Sequence, residues 1–421
     1  MTRLGYLVGR YPAASHAFLL REVGALRRAG AEVETITIRS PRKEELLTEA
    51  DRDAASTTYR VLPAGPLKLL GAHVPAFFSH PLRYLSTLGY AIGLGRGLRG
   101  RLWQLFYFAE SIVVWRHCRR RGLSRLHAHF ADTATDSALL ATHFEPDWRW
   151  SISVHGPDEF AEASQNRLGE KLAAAEFVVA VSDDAKGKAE QALAPGDRGK
   201  IHTVRMGLDL DRFAPGGERR AGGDTVLVLC LGRLVERKGH RFLIEAIAGI
   251  EGMELVIAGD GPERENLEEL AESLGVSNRI EFAGVVGQDE ALELYHHADV
   301  FCLPSLAEGL PTVLIEAMAC GVPVISTRID GVPELISDGE DGLLCVAGDP
   351  GALAAPLQRL VSDPAERERL GRAGRAKVER LHDLDRQSAA LLLLLSGTPG
   401  DPLPSEARGV GKLPDAEQSK A

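Results

Sequence analysis

The chain has 421 residues, 49 basic against 59 acidic, and a formal net charge of −10. Apolar residues make up 44% and charged residues 26%, an ordinary globular balance that excludes collagen-like, disulfide-framework and wholly disordered chains. The length predicts two or three domains of about 150 residues each, and the acidic balance argues against a nucleic-acid coat, which needs a basic surface.

The average conceals an asymmetry. Between Arg60 and Arg125 there are eleven basic residues against Glu110 alone, a balance of +10 that leaves −20 for the rest of the chain. Five cysteines (Cys118, Cys230, Cys302, Cys320 and Cys345) form no C-x-x-C pair, a pattern that fits reduced thiols better than disulfides or a zinc site. Met1 to Val8 is too short for a signal-peptide core, and no uncharged run reaches the roughly 18 residues of a membrane span. The expected location is the cytoplasm, with room for a peripheral place on the inner face of the cell membrane.

In chain order, Leu4–Val8 reads as a buried strand. Ser15 is a plausible N-cap for a helix carrying Leu19, Leu20, Val23 and Leu26, with Gly30 as its stop. Val33–Ile38 alternates as a second strand, so the chain opens with a β-α-β unit of a doubly wound α/β sheet. Residues 60–125 read as a mostly helical insertion, and Leu126–His129, Trp150–Val154 and Phe177–Val181 as later strands. Gly and Pro among charges at 206–223 predict a linker. A second series follows, with strands predicted at Thr225–Cys230, Glu254–Ala258, Arg279–Phe282, Val300–Leu303 and Val322–Ser326. The expected organisation is a first domain over 1–205, a linker over 206–223, a second domain over 224–380, a closing helix over 381–395 and a disordered tail over 396–421.

Leu303 to Thr327 is the most informative stretch. A strand ends at Leu303, a loop carries Glu308 and Gly309, Pro311 falls where the first helical position is expected, and Glu316 follows within the helix. Both carboxylates are then expected at the strand carboxyl ends, where doubly wound sheets bind ligands. Carboxylates there suit hydroxyl-rich ligands, and a helix N-terminus suits phosphate. By itself the pair is as readily a solvated Glu308 and a helix-face Glu316. Leu231–Gly239 (LGRLVERKG) adds Arg233 and Lys238 after another strand, two cations able to neutralise a diphosphate. Ala258–Glu263 (AGDGPE) adds a glycine turn with Gly259 and Gly261.

Together the GRL-x-x-x-KG turn, the AGDGPE turn, EGLP-x-x-x-x-E and the following A-x-GVPVI-x-T run resemble the family-four retaining glycosyltransferases. In the first half, YPAASHAF at Tyr11–Phe18, LHAHFAD at Leu126–Asp132 and VHGPDEF at Val154–Phe160 resemble the exopolysaccharide, colanic-acid-type subgroup, and MGLDLDRF at Met206–Phe213 its hinge motif. The resemblance implies the GT-B architecture: two Rossmann-like domains facing across a cleft, with C-terminal helices crossing back to the first. It implies that Arg233 and Lys238 bind and stabilise the departing pyrophosphate, Glu316 holds the ribose, and Glu308 lies by the transferred sugar. The backbone of Gly309, Leu310 and Pro311 would shape that pocket, and His155 would lie close to sugar and acceptor. It also implies a nucleotide-diphosphate sugar as donor substrate, a saccharide or lipid-linked acceptor, no cofactor and no metal. Two departures fall on the acceptor side: Gly9-Arg10-Tyr11-Pro12 replaces a glycine-rich loop, and His16 stands where the subgroup often has Glu.

Other candidates are weaker. His127 and His129 share a strand face and are expected to be packed or hydrogen-bonded, since a metal site needs further ligands. Asp209-Leu210-Asp211 mimics a metal motif but falls in the hinge segment. Asp183 and Asp184 after Ser182 most simply start a helix. In residues 60–125, arginines interleave with Phe77, Phe78, Tyr84, Trp103, Phe106 and Trp115, a cationic amphipathic character suited to an anionic membrane surface as well as to a solvated helical hairpin. Arg119, Arg120 and Arg121 are its expected cationic contact. The leading reading is a hexosyltransferase-type enzyme; a sugar-nucleotide epimerase of the same fold and a catalytically silent saccharide-binding subunit are the alternatives.

Overall fold

The computed structural model describes residues 2–13, 16–42, 46, 48–161, 163, 167–216 and 225–397. Ser15, part of the 206–223 linker and almost all of the expected tail lie outside them. The chain divides into two compact units. One runs to Arg205 and resumes at Asp385; the other is Met206–Leu384.

The first unit is built on a seven-stranded parallel sheet of β1 (Arg3–Arg10), β2 (Glu32–Arg39), β3 (Tyr59–Arg60), β4 (Arg125–His129), β5 (Arg149–Val154), β6 (Val178–Ala180) and β7 (Ile201–Thr203). Its order is β3-β2-β1-β4-β5-β6-β7, so the direction of winding reverses between β1 and β4. The strands of this unit are covered on both faces. Period-two alternation sends Leu4, Tyr6 and Val8 to one layer and Leu7 to the other. The first layer is closed by Leu19, Val23 and Leu26 of the helix Ala17–Arg28, and by Leu391, Leu394 and Leu395 of the helix Leu384–Ser396. Each such leucine contributes about 2 kcal/mol by leaving water, which gives the Leu391–Leu395 run a packing role and ties the chain's return to this unit. The opposite layer takes Phe108, Ile112, Trp115 and Cys118 from the helix Gly97–Arg121.

Residues 60–125 hold three helices, Pro66–Ser79, Pro81–Leu94 and Gly97–Arg121. Among the described residues, no helix is long and apolar enough to cross a membrane.

The second unit has a six-stranded parallel sheet of β8 (Val226–Leu231), β9 (Met253–Ala258), β10 (Ile280–Gly284), β11 (Val300–Leu303), β12 (Val324–Thr327) and β13 (Leu343–Cys345). Its order is β10-β9-β8-β11-β12-β13, with the reversal between β8 and β11. The expected doubly wound α/β fold is therefore present twice.

Three strands went unpredicted: β3, β7 and β13, edge strands of two or three residues that carry no readable period. The helix expected from Ser15 has His16 at its N-cap, without a side-chain cap. Pro311 is the N-cap and Thr312 the first helical residue, a shift of one position from expectation. The closing helix starts at Leu384 rather than 381, because Leu381 still belongs to Pro364–Leu381. All five cysteines are buried and free of disulfides.

Candidate functional site

In the second unit the predicted residues gather on the segments that leave β8, β9 and β11 at their carboxyl ends, around the winding reversal. Backbone bonds lash the first two loops together: Gly232 N–H donates to Ala258 O at 2.9 Å, and Leu234 N–H to Asp260 O at 3.0 Å. That closeness dictates glycine. A Cβ at Gly259, whose φ is +145°, would sit 2.0 Å from Gly232 O, and one at Gly261 would sit 2.3 Å from Leu234 O. Gly239, at φ +67°, likewise leaves no room, with Pro304 O 2.1 Å from a would-be Cβ. This brings the β8 loop against the start of the β11 loop.

The contact sets a cation against a carboxylate. Lys238 Nζ donates to Glu308 Oε1 at 2.5 Å, and Ser305 Oγ donates to the same oxygen at 2.6 Å. Glu308 N–H donates to Asp330 Oδ2 at 3.1 Å, fixing the loop from the other side. Arg233 is exposed at the mouth of the β8 loop. Leu310 and Pro311 are buried and Gly309 is partly exposed, leading into the helix Thr312–Ala319, whose first turn has no side-chain cap. Those uncapped N–H groups are suited to an anion. Glu316 is buried in that helix and accepts from Tyr295 OH at 3.1 Å.

In the first unit, His155 follows β5 and His129 ends β4, and His129 Nδ1 lies 3.0 Å from His155 Nε2. Phe130 and Phe18 pack on the His155 ring, with centroids at 4.5 and 5.1 Å. Burial first, then the neighbouring imidazoles of His129, His16 and His127, hold the His155 pKa well below its ordinary value. His16 packs at a tilt against Phe130, with centroids at 4.7 Å, and its pKa is lowered to about 4, mainly by burial. Gly9 is where β1 meets Asp132: a Cβ there would lie 2.2 Å from Asp132 Oδ2. Burial raises the Asp132 carboxyl to about 6.

Sequence reasoning missed the supports. Glu159 receives N–H bonds from Ala131 at 2.7 Å, His155 at 2.5 Å and Gly156 at 2.9 Å, and so pins the two loops that carry Phe130 and His155. Its position four residues after His155 was the available signal. Glu22, Tyr295 and Asp330 carried none, being distant in sequence from the residues they meet.

His127 and His129 are hydrogen-bonded, as expected. Both ring nitrogens of His127 meet serine hydroxyls, Ser151 at 2.8 Å and Ser153 at 3.0 Å. Glu22 joins them in the one group among the described residues with metal-ligand spacing, its donor atoms within 4.8 Å of one another. Asp209 accepts from Arg212 N–H at 3.1 Å and from Phe213 N–H at 3.0 Å, which closes a turn. Ser182 caps Asp183–Ala192, as expected. Arg119 and Arg121, expected as a cationic contact, pair with Glu145 and Glu34, each at 3.1 Å.

Two parallel doubly wound sheets, each with charged and aromatic side chains at its reversal point, make this a two-unit α/β protein of the GT-B fold. Residues 218–377 match the family described as glycosyl transferases group 1. The chain is 32% identical over 285 residues to the GDP-mannose-dependent α-(1-6)-phosphatidylinositol monomannoside mannosyltransferase of Mycobacterium tuberculosis, covering 63% of this chain and 71% of that one. It is 40% identical over 176 residues to the lipopolysaccharide core biosynthesis glycosyltransferase LpsE of Rhizobium meliloti, covering 42% and 51%. The chain belongs to the group 1 glycosyl transferases. It spans about half the length of LpsE, and 59% and 62% of two further curated relatives. Its fold is that of HepE from Anabaena, solved in complex with UDP and glucose, with a TM-score of 0.71 at 17% identity over 94% of this chain and 100% of that one.

Proposed function

We propose that this chain is a retaining glycosyltransferase. It moves a sugar from a nucleotide diphosphate to a lipid-linked saccharide in the building of an exopolysaccharide or related surface glycan, without a metal ion. The observation that carries the reading is the placement of Arg233, Lys238, Glu308 and Glu316 on the segments that leave the β8/β11 reversal. The mannosyltransferase relative is GDP-mannose-dependent, HepE binds UDP and glucose, and LpsE serves the lipopolysaccharide core, all of which support a nucleotide-sugar donor and a surface-glycan product.

Arg233 and Lys238 hold the donor pyrophosphate, beside the uncapped first turn at Thr312. Glu316 accepts from the ribose hydroxyls, and Glu308 with Gly309, Leu310 and Pro311 frames the sugar. Gly259 and Gly261 keep the β9 loop low enough for the phosphates to approach. His155 serves the saccharide on the first unit. In the transfer the bond from the anomeric carbon to the phosphate oxygen breaks, and the acceptor oxygen bonds that carbon on the same face. The acceptor proton passes to the departing phosphate. Stabilising the phosphate charge and positioning the hydroxyl supply the rate, with no enzyme-bound intermediate.

The reading includes a bilayer face. Among the described residues, twelve of the seventeen exposed large hydrophobic side chains fall between Leu67 and Phe106. Arg96, Arg99 and Arg101 are exposed among them, and Glu110, the one acid of the insertion, is pushed up to about 7, first by burial. Apolar anchors with cations and little opposing charge suit an anionic lipid surface.

Calorimetric titration with UDP-glucose and GDP-mannose tests the donor site. One of them is expected to bind, and Glu316→Ala to weaken it by roughly tenfold, the worth of a charged hydrogen bond. Unchanged binding in the variant overturns the ribose assignment.

A further inference from the structure

Behind His155 stands a chain of polar contacts that the transfer reading leaves unused. On its far side His129 Nε2 lies 3.4 Å from Glu22 Oε1, an ion-pair distance without a hydrogen bond between them, and Tyr6 OH donates to that same oxygen at 2.8 Å. Tyr6 is on β1 and Glu22 on the helix Ala17–Arg28, so two further elements are committed to this contact. His129 has no solvent exposure, and its ring lies on Tyr6 with centroids at 4.5 Å.

The protons of this chain are dictated by charge. A neutral imidazole has one N–H and one lone pair, and the partner of one nitrogen decides the state of the other. A lone pair on His129 Nε2 would face the Glu22 carboxylate and be repelled, so the proton sits there. In a neutral His129 ring Nδ1 is then an acceptor, and His155 Nε2 is the donor across the 3.0 Å contact. His155 Nδ1 is left as a lone pair, and it is a buried atom with no protein partner.

We propose that Glu22 and His129 are positioning residues that lock His155 in its Nε2-protonated tautomer, so that its Nδ1 accepts a hydrogen bond from a hydroxyl of the bound saccharide. Only the identity of that hydroxyl rests on the glycosyltransferase reading. Burial, the largest cause of the depressed His155 pKa, keeps the ring neutral as the lock requires. The Glu159 bonds to His155 N–H and Gly156 N–H fix the backbone so that the ring turns on a set pivot. A carboxylate that fixes a histidine tautomer through its far nitrogen is an established way to orient a reactive imidazole.

A metal held by Glu22, His127 and His129 is the competing use of the same atoms. It would have to displace a serine hydroxyl from His127, both of whose nitrogens are engaged.

The test is the histidine nitrogen spectrum of the isotope-labelled full chain near neutral pH, with His155 assigned by His155→Asn. The expected result is the Nε2-protonated tautomer in the native chain, a shift toward the Nδ1-protonated form in Glu22→Gln, and retention of the native form in Glu22→Asp. With UDP-glucose or GDP-mannose as donor, Glu22→Gln is expected to lower kcat roughly tenfold, the value of one positioned hydrogen bond, while UDP or GDP affinity stays within about twofold. An Nδ1-protonated His155 in the native chain, an unchanged tautomer in Glu22→Gln, or one zinc per chain in the purified protein overturns the proposal. Absence of any transfer by the native chain counts against the enzyme reading instead, and the spectrum still decides the lock.

Discussion

Lys238 and Glu308, seventy positions apart, meet at 2.5 Å on the carboxyl edge of the second sheet, with side chains 16% and 10% exposed. The pair holds the lysine head against the loop that follows β11. Removing one partner leaves the other buried and uncompensated, at a cost of about 3 kcal/mol. Lys238→Met is therefore expected to lower the thermal midpoint of the second unit, and Lys238→Met with Glu308→Gln to restore much of it without restoring transfer. Calorimetric unfolding of the two single variants and the double variant measures the coupling; strictly additive losses would contradict it.

The glycine contact between the β8 and β9 loops makes a sharper demand. Gly259→Ala places a methyl 2.0 Å from Gly232 O at a φ of +145°. The backbone must move, and the strain is expected to cost about 3 kcal/mol or more. Denaturant midpoints check this, and a loss under about 1 kcal/mol would show that the loops are looser than described.

His240, 2% exposed, begins the helix His240–Ile247 just after Lys238. Burial, and then the Lys238 charge, depress its pKa to about 4. In the unfolded chain the ring takes its proton near about 6.5. A base with a depressed folded pKa stabilises fully above the unfolded value and loses that contribution as pH falls through the folded one. The window is therefore from about 6.5 down to about 4, with a ceiling of about 3 kcal/mol. His240→Leu should flatten the acid limb of stability across that window. Equal slopes in the two proteins would contradict the depressed pKa.

The insertion yields a prediction that differs from the one its arginine run suggests. Arg119 and Arg121 are paired with Glu145 and Glu34, while Leu67, Phe78, Leu82, Leu98 and Phe106 are 61–86% exposed. Replacing those five with serine is expected to weaken binding to anionic vesicles by at least about a hundredfold, since each buried apolar side chain is worth about 1.5–3 kcal/mol. Reversing Arg96, Arg99 and Arg101 should weaken it by about 1 kcal/mol each. Co-sedimentation reads both, and full retention of binding by the serine variant would remove the bilayer from the account.

That contrast shows where sequence stops informing. The central strands β1, β8 and β11 are legible because a strand buried on both faces is a near-continuous apolar run. The donor-side residues are legible because glycines and charges cluster where such runs end. Edge strands such as β13, three residues long, lack any period. The pairing of Arg119 and Arg121 is not legible because their partners Glu145 and Glu34 lie on other elements. Glu22 stays hidden for the same reason: nothing near His129 in the chain announces a carboxylate that arrives from the helix Ala17–Arg28.

The central claim is transfer, and it is tested most directly by following labelled sugar from UDP-glucose or GDP-mannose in the presence of anionic vesicles carrying extracted glycolipids. The account predicts release of nucleoside diphosphate matched by label in the lipid fraction, with the donor's anomeric configuration kept and the signal lost in Lys238→Met. Label recovered as free or isomerised sugar without any acceptor, or equal transfer by the variant, would contradict it.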